Sequence, residues 1–419
     1  MKVQLLMPPV HHYAGVHYRL NPGLALPILA AILEAAGHRT EVWDLEAMAA
    51  TPAGLRAAYA GHRDKWPDAV GITCTTHNRR GVGDVIASLR EIGFDRRIVL
   101  GGPHATVDPE SVLALGADAV VTGECEGNVG AIFEGTERGV IAGKALPIEQ
   151  IPGPLWARQE PKPARYAGNL PKVGHPEGIA MWSRGCPHGC IFCGNPVFGH
   201  QRIRRRPPAR IVEDMAALKA LGVQSVFVYD DELVGTGARG DAWLTEACEA
   251  VAPLGLTWKC QGRCTAKLTR DVLDAMHRAG CRAIMWGVES FSDAVLQAIH
   301  KDTTEADVWH TLRLAKDAGI GNWLFLMVGN YRETETELAY TERRLAEATR
   351  AGLVQWRQVT VCTPEPGTRL WELAREGGWL VEPPDTGPQM NQVYAPTPWL
   401  SAPLLRRWKV RLENAGVGA

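Results

Sequence analysis

Residues 184–193 read Arg184-Gly185-Cys186-Pro187-His188-Gly189-Cys190-Ile191-Phe192-Cys193, three thiols at C-x3-C-x2-C spacing on one loop that carries glycine and proline. Such a loop can wrap three thiolates around one face of a 4Fe–4S cluster, one for each of three irons. The fourth iron then has no protein ligand and is free to chelate a substrate or cofactor. Zinc is the alternative, but a structural zinc site needs four ligands. His188 is the one nearby fourth candidate, and it falls inside the loop at poor spacing. The other cysteines, Cys74, Cys125, Cys248, Cys260, Cys264, Cys281 and Cys362, are scattered and read as small apolar core residues.

Around this loop the chain alternates apolar strand-like runs with helical segments. One run, Ile179–Ser183, immediately precedes the cysteines. Ser225–Tyr229, Thr257–Gln261, Ala283–Gly287, Trp323–Val328 and Val354–Val361 follow, with helices between them. Thr334 followed by Glu337 is a capping box. Six βα units are too few for a closed eight-stranded barrel and predict a partial (βα)6 barrel, with chemistry at the C-terminal strand ends. Upstream, strands at Val3–Met7, Glu41–Leu45, Ala69–Cys74, Ile98–Gly101 and Ala117–Val121 alternate with helices. They predict a flavodoxin-like, doubly wound parallel sheet whose ligand lies beyond the C-terminal strand edges. The expected α/β organisation is a sheet domain over 1–136, a Pro- and Gly-rich linker over 137–175, the barrel over 176–378, and a C-terminal cap over 379–419 that contains Trp379, Trp399 and Trp408.

The 419 residues include 46% hydrophobic and 22% charged side chains, the balance of a soluble globular protein. A formal net charge of −1 argues against bulk polyanion binding, so no nucleic-acid partner is expected. The longest apolar stretch, Leu24 to Ala36, contains Pro27 and Glu34 and is too short to span a bilayer. No membrane partner is expected. The N-terminus reads as a buried strand ending at Pro8-Pro9, with no signal-peptide pattern, so a cytoplasmic location is expected. In that reducing compartment ten cysteines do not form a disulfide framework.

The cysteine loop resembles the signature of the radical S-adenosylmethionine (SAM) superfamily, C-x3-C-x-aromatic-C, which Cys186, Cys190, Phe192 and Cys193 match without exception. The resemblance implies a cluster whose open iron holds the amino and carboxylate groups of SAM. It implies an electron donor such as flavodoxin or ferredoxin, and cleavage of SAM to a 5′-deoxyadenosyl radical. It places Phe192 near the adenine, with plain packing as the alternative. It also places an acidic group for the SAM ammonium at the second strand end, Asp230-Asp231-Glu232. Arg263 after the third strand would pair with the SAM carboxylate, and Glu289 after the fourth would accept from ribose or amino donors. For both, an ordinary ion pair is the competing reading. Arg204-Arg205-Arg206-Pro207-Pro208 and Thr363-Pro364-Glu365-Pro366-Gly367-Thr368 resemble further superfamily segments. Met327-Val328-Gly329-Asn330-Tyr331-Arg332-Glu333-Thr334 departs from the corresponding family turn at Asn330-Tyr331-Arg332.

The upstream block resembles the cobalamin-binding domain joined to many radical SAM enzymes. The resemblance rests on Pro8-Pro9, on Pro27 to His38, on Gly101-Gly102-Pro103-His104-Ala105-Thr106, and on Gly123-Glu124-Cys125-Glu126. It implies cobalamin binding by Gly101, Gly102 and Glu124 together with Thr75, Thr76 and Thr106. The glycines admit close backbone approach to the corrin, and the threonines can donate to phosphate or amide oxygens. An Asp-x-His-x-x-Gly motif is absent, which leaves His77, His104, water or nothing below the cobalt. The function expected from both resemblances is methyl transfer to an unactivated carbon of a small molecule of natural-product type. The alternatives are ring contraction, cyclisation or non-radical transfer with both cofactors, a cobalamin-free enzyme such as a methylthiotransferase, and a non-catalytic sensor.

Overall fold

The computed structural model describes residues 1–10, 21–60, 63–168, 174–199, 201–381 and 396–417. The N-terminal sheet contains β1 (Lys2–Met7), β2 (Arg39–Asp44), β3 (Ala69–Thr73), β4 (Arg97–Gly101), β5 (Ala119–Thr122), β6 (Gly139–Ala142) and β7 (Gln159–Glu160). All neighbours are parallel, in the order β6-β5-β4-β3-β1-β2-β7. Strands buried on both faces must be apolar at nearly every position, and Val3, Leu5, Leu6, Val70, Ile72, Ile98, Leu100 and Val120 are all buried. Helix Ala25–Ala35 packs on one face, and Arg79–Glu91 on the other. Asn21 does not cap the first helix; its amide reaches the Glu177 carboxylate instead.

The segment expected to be a linker contributes both edge strands, β6 and β7. Neither carries a long apolar run, because an edge strand is paired on one side only. Between them, short 3-10 turns at Ile148–Gln150 and Trp156–Arg158 bury Ile148 and Trp156.

The second sheet contains β8 (Glu177–Ala180), followed by a short ribbon of β9 (Ser183–Arg184) and β10 (Arg204–Arg205). It continues with β11 (Ser225–Val228), β12 (Thr257–Arg263), β13 (Cys281–Glu289), β14 (Gly321–Val328) and β15 (Trp356–Val361). Its six strands are parallel, in the order β15-β14-β13-β12-β11-β8, and form the arc of a partial barrel. The antiparallel ribbon pairs Arg184 with Arg204 and Ser183 with Arg205, so it brackets the cysteine loop at both ends. The expected capping box forms between Thr334 and Glu337.

The C-terminal extension divides. Trp379 and Trp399 meet edge to face, and Trp399 meets Tyr331 just beyond the end of β14. The last helix, Ala402–Asn414, buries Leu405, Trp408 and Leu412 in the main barrel core, and Arg357 of β15 donates to the Ala415 carbonyl. That helix therefore flanks the β14–β15 side of the arc. Part of the extension, 382–395 and 418–419, lies outside the described residues.

Candidate active site

The two domains meet through charge. Arg184 enters the cysteine loop, and its Nη1 lies 2.8 Å from Glu126 Oε1 and 3.2 Å from Glu124 Oε2. Arg204, its partner across the ribbon, donates through both terminal nitrogens to the two Glu124 oxygens. The fork of a guanidinium matches a carboxylate in this way. Both glutamates belong to the loop after β5, so Glu124 acts here as an interdomain clamp.

The acidic run after β11 organises the cysteine loop from below. Asp230 is buried; it accepts from the Trp182 backbone N–H (2.9 Å) and from Ser183 Oγ (2.6 Å). Burial pushes its carboxyl up to about 7. Asp231 accepts from the Gly185 N–H at 2.7 Å, at the first bend of the loop. Both carboxylates therefore hold loop backbone. Glu232 is the one that faces the thiols: Cys186 Sγ lies 3.2 Å away, His188 Nε2 3.5 Å, and Arg263 Nε 3.8 Å. Burial alone would raise its carboxyl, but the His188 hydrogen bond and the Arg263 charge hold it below the ordinary range.

Arg263, at the end of β12, is 7% exposed and places Nη2 3.1 Å from Cys190 Sγ. Its Nη1 is buried and has no hydrogen-bond partner among the described residues. A buried guanidinium with an unmet donor is costly unless an anion completes it. Glu289, at the end of β13, sits in left-handed backbone (φ +63) and pairs with Lys301 at 2.8 Å, both buried. Lys301 is held between His300 and Asp302, themselves at φ +53 and +51, and its Nζ lies 5.9 Å from the Phe192 ring centroid. Strained backbone clusters where geometry serves a site. The Ile191 N–H donates to the Ile299 carbonyl, and Leu370 N–H donates to the Ile191 carbonyl, which fixes the loop to late barrel elements. Sequence reasoning gave no role to Lys301, to Arg184 and Glu126, or to His188 beside Glu232; Arg184, His188 and Glu126 lay within quoted motifs, and Lys301 did not.

Cys186, Cys190 and Cys193 with the Arg263 donor fit a 4Fe–4S cluster bearing SAM. The alternative grouping of Cys186, His188 and Glu232, with ligand atoms within 4.8 Å of one another, omits two of the three thiols and uses a carboxylate already facing Arg263.

Two cavities adjoin the loop. The first, about 270 Å³, is a slot between the sheet and the helices Ala25–Ala35 and Val129–Glu134. Leu5, Val99, Val121 and Phe133 line its depth, and Gly101, Gly102, Thr106, Glu124 and Arg184 its mouth. Gly71 in its wall leaves the room: a Cβ there would come within 2.7 Å of Leu5 and Phe133. Gly102 (φ +109) brings its backbone against Cys74, where a Cβ would lie 2.8 Å from the carbonyl oxygen. At the rim the Glu126 Oε2 is buried and unpartnered. Thr106 donates to the Gly102 carbonyl and accepts from the Gly123 N–H, tying the β4 and β5 loops together.

The second cavity, about 380 Å³, is a chamber between the domains. Thr75, Thr76 and His77 line it from the sheet side; Phe192, Met327, Cys362 and Glu365 line it from the barrel. His77 Nε2 lies 3.9 Å from Glu365 Oε1. His104 is buried beneath this edge with Nδ1 3.2 Å from Thr76 Oγ1, and burial lowers its imidazole's affinity for a proton. Pro103 and Phe198 line both cavities, so slot and chamber adjoin. The candidate cobalamin residues thus divide between slot (Gly101, Gly102, Thr106, Glu124) and chamber (Thr75, Thr76, His77). An adjoining apolar slot and wider chamber, both rimmed by glycine backbone, fit a ligand with a planar body and a tail.

Comparison with known proteins agrees. The Radical SAM superfamily model matches residues 181–345, and the B12 binding domain model matches residues 14–133. An uncharacterized methyltransferase of Pyrococcus horikoshii is 29% identical, covering 89% of this chain and 83% of its own. The anaerobic magnesium-protoporphyrin IX monomethyl ester cyclase of Rubrivivax gelatinosus is 26% identical, covering 88% of this chain and 69% of its own. The fold is also that of the radical SAM methyltransferase TsrM from Kitasatospora setae, solved with cobalamin and a [4Fe-4S] cluster bound. The TM-score is 0.70 at 19% identity, covering 91% of this chain and 76% of that one. Two family matches in this order, over a cysteine loop and a glycine-rimmed slot that meet at one chamber, place the chain among the cobalamin-dependent radical SAM enzymes.

Proposed function

We propose that the protein is a methyltransferase that moves a methyl group from SAM, by way of cobalamin, to an unactivated carbon of a small molecule. When bound, cobalamin supplies a methyl carrier and SAM on the cluster supplies a radical able to open a C–H bond. The observation that carries the reading is the shared chamber: Thr76 and His77 face it from the cobalamin side, and Phe192 and Met327 face it from the cluster side. A substrate held there touches both reagents without leaving the protein. Arg263 would pair with the SAM carboxylate and Glu289 would accept from its ribose or amino donors, and Asp231 fixes the loop that carries the cysteines. Relatives named as methyltransferases support the reading. No helix among the described residues is long and apolar enough to cross a membrane. The reading includes flavodoxin or ferredoxin as electron donor and a cytoplasmic setting, with which ten free cysteines among the described residues are in keeping.

The test is stoichiometric. With substrate, each turnover consumes two SAM molecules, giving S-adenosylhomocysteine and 5′-deoxyadenosine in about a one-to-one ratio. SAM with a deuterated methyl group passes its label to the product. 5′-Deoxyadenosine formed without matching S-adenosylhomocysteine would instead show a cyclase-type radical reaction.

A further inference from the structure

The registers of the barrel strands stack its inward-facing residues in layers, as parallel barrels do. The lowest layer aligns Phe227, Lys259 and Ala283. One step up, Gln261 of β12 aligns with Met285 of β13, Trp323 of β14 and Trp356 of β15, and Tyr229 follows Phe227 by two residues, so it shares that face. Above it, Arg263 aligns with Gly287, Phe325 and Gln358.

The middle of this interior is unlike its floor and roof. The floor is sealed by a fully buried ion pair, Lys259 with Glu177 at 2.6 Å. The roof holds Arg263 against Glu232 and Lys301 against Glu289. The charges of floor and roof are paired, and the charge that bears on the middle layer is the Asp231 carboxylate beside Tyr229. Tyr229 is 56% exposed, yet burial raises its phenol. Both hold if the ring is surrounded by protein but faces an open interior. Trp323 and Phe325, on the opposite side of the arc, are half-buried, with ring centroids 6.2 Å apart. Among the described residues the Gln261 and Gln358 carboxamides have no hydrogen-bond partner, and the buried Trp323 Nε1 has none either. Aromatic walls on two sides, two half-buried carboxamides and one buried indole N–H, none bonded to protein among the described residues, are the makings of a recognition site.

We propose that the barrel interior between Tyr229 and Trp323 binds a planar ring system of the substrate that carries no negative charge, with Gln261 and Gln358 hydrogen-bonding to its polar edge. The inference rests on the methyltransferase reading only in taking this ring to belong to the molecule that is methylated. A carboxylate on the ring is selected against, since it would be buried beside Tyr229, on which the Asp231 carboxylate already bears, with no unpaired cation to meet it among the described residues. Saturated rings lose the face-to-face and edge-to-face contacts that the aromatic walls offer.

The test uses the full chain with cluster and cobalamin loaded, without SAM, and three probes of one size: 2-naphthamide, 2-naphthoate and decahydro-2-naphthamide. Equilibrium dialysis should show 2-naphthamide bound at least about tenfold more tightly than either of the others. Gln261→Leu should weaken 2-naphthamide by about tenfold, the loss of one hydrogen bond that leaves a buried amide unmet. Tyr229→Leu should weaken it comparably, and both variants should keep wild-type cluster absorbance. If either variant fails to fold, Gln358→Leu takes its place with the same expectation. Equal binding of the three probes, no binding of 2-naphthamide, or unchanged affinity in the folded variants would overturn the proposal. The methyltransferase reading stands or falls separately, on the S-adenosylhomocysteine to 5′-deoxyadenosine ratio.

Discussion

Replacing Arg184 by Met removes a charge while keeping an unbranched side chain of similar length, and it tests whether the clamp between the domains is as strong as its geometry implies. Arg184, Glu124 and Glu126 have side chains 17%, 12% and 9% exposed, so water screens them weakly. At 2.8 Å and an effective dielectric near 20, the Arg184–Glu126 attraction is about 6 kcal/mol before desolvation. Desolvation of both ions takes back a large part of that sum. The cost of Arg184→Met is then set by two carboxylates left together, one still held by Arg204. About 3 kcal/mol is expected, the lower end for breaking a buried pair. Urea unfolding followed by tryptophan fluorescence measures it. Glu126→Gln in the Arg184→Met background should recover about half, because the stranded charge is gone. Cobalamin affinity should fall in Arg184→Met, since Arg184 and Glu126 both line the slot mouth. A loss below about 1 kcal/mol, with cobalamin affinity unchanged, would show that the clamp is decorative and that the domains are held by apolar contact.

Three further outcomes follow from single features of the structure. Replacing Cys186, Cys190 and Cys193 together by Ala should leave no bound iron after reconstitution, where the wild type binds about four per chain; iron analysis and visible absorbance decide it, and full retention sinks the cluster assignment. Gly71→Val should crowd the slot against Leu5 and Phe133 and cut cobalamin retention at least about tenfold, with iron content unchanged. Asp230, whose folded-state pKa is raised to about 7, holds its proton more tightly folded than unfolded, so its contribution is full below about pH 4 and is lost as pH rises to about 7. Asp230→Asn cannot ionise, so the stability advantage of wild type over the variant should shrink between pH 5 and pH 8; urea titrations showing a constant gap would refute the raised carboxyl.

The barrel was legible because its strands are apolar at nearly every position, and runs such as Trp323–Val328 or Ser225–Tyr229 admit few other readings. The edge strands were not, since Gln159–Glu160 is two residues long and polar. The cysteine loop announced itself by spacing, which depends only on local sequence. Lys301 did not, because its place under Phe192 arises from the fold of β13 and the loop beyond it. The acidic run after β11 was visible as a charged strand end, but not the division of its labour. Asp230 and Asp231 receive N–H groups from the loop, and only Glu232 faces the thiols. Likewise Thr75–His77 and Gly101–Thr106 both stood out as loops at the sheet edge. Which of them lines the slot and which the chamber depends on how the barrel docks.

That docking makes the two cofactor sites parts of one construction. The segment that supplies the cysteines continues to Phe198, which lines both the slot and the chamber, and then returns through Arg204 to the Glu124 carboxylate. The same segment begins at Arg184, held by Glu126 at the slot mouth. A displacement of the cysteine loop must therefore move a wall of the slot, and a ligand filling the slot must brace the loop at both ends of its ribbon. Both glutamates lie beyond the end of β5 at Thr122, and their carboxylates meet arginines of the barrel domain. The cost of burying four charged groups at this seam is offset only when the domains are in register. The clamp is thus a registration device, which fixes both ends of the cysteine loop against the mouth of the slot.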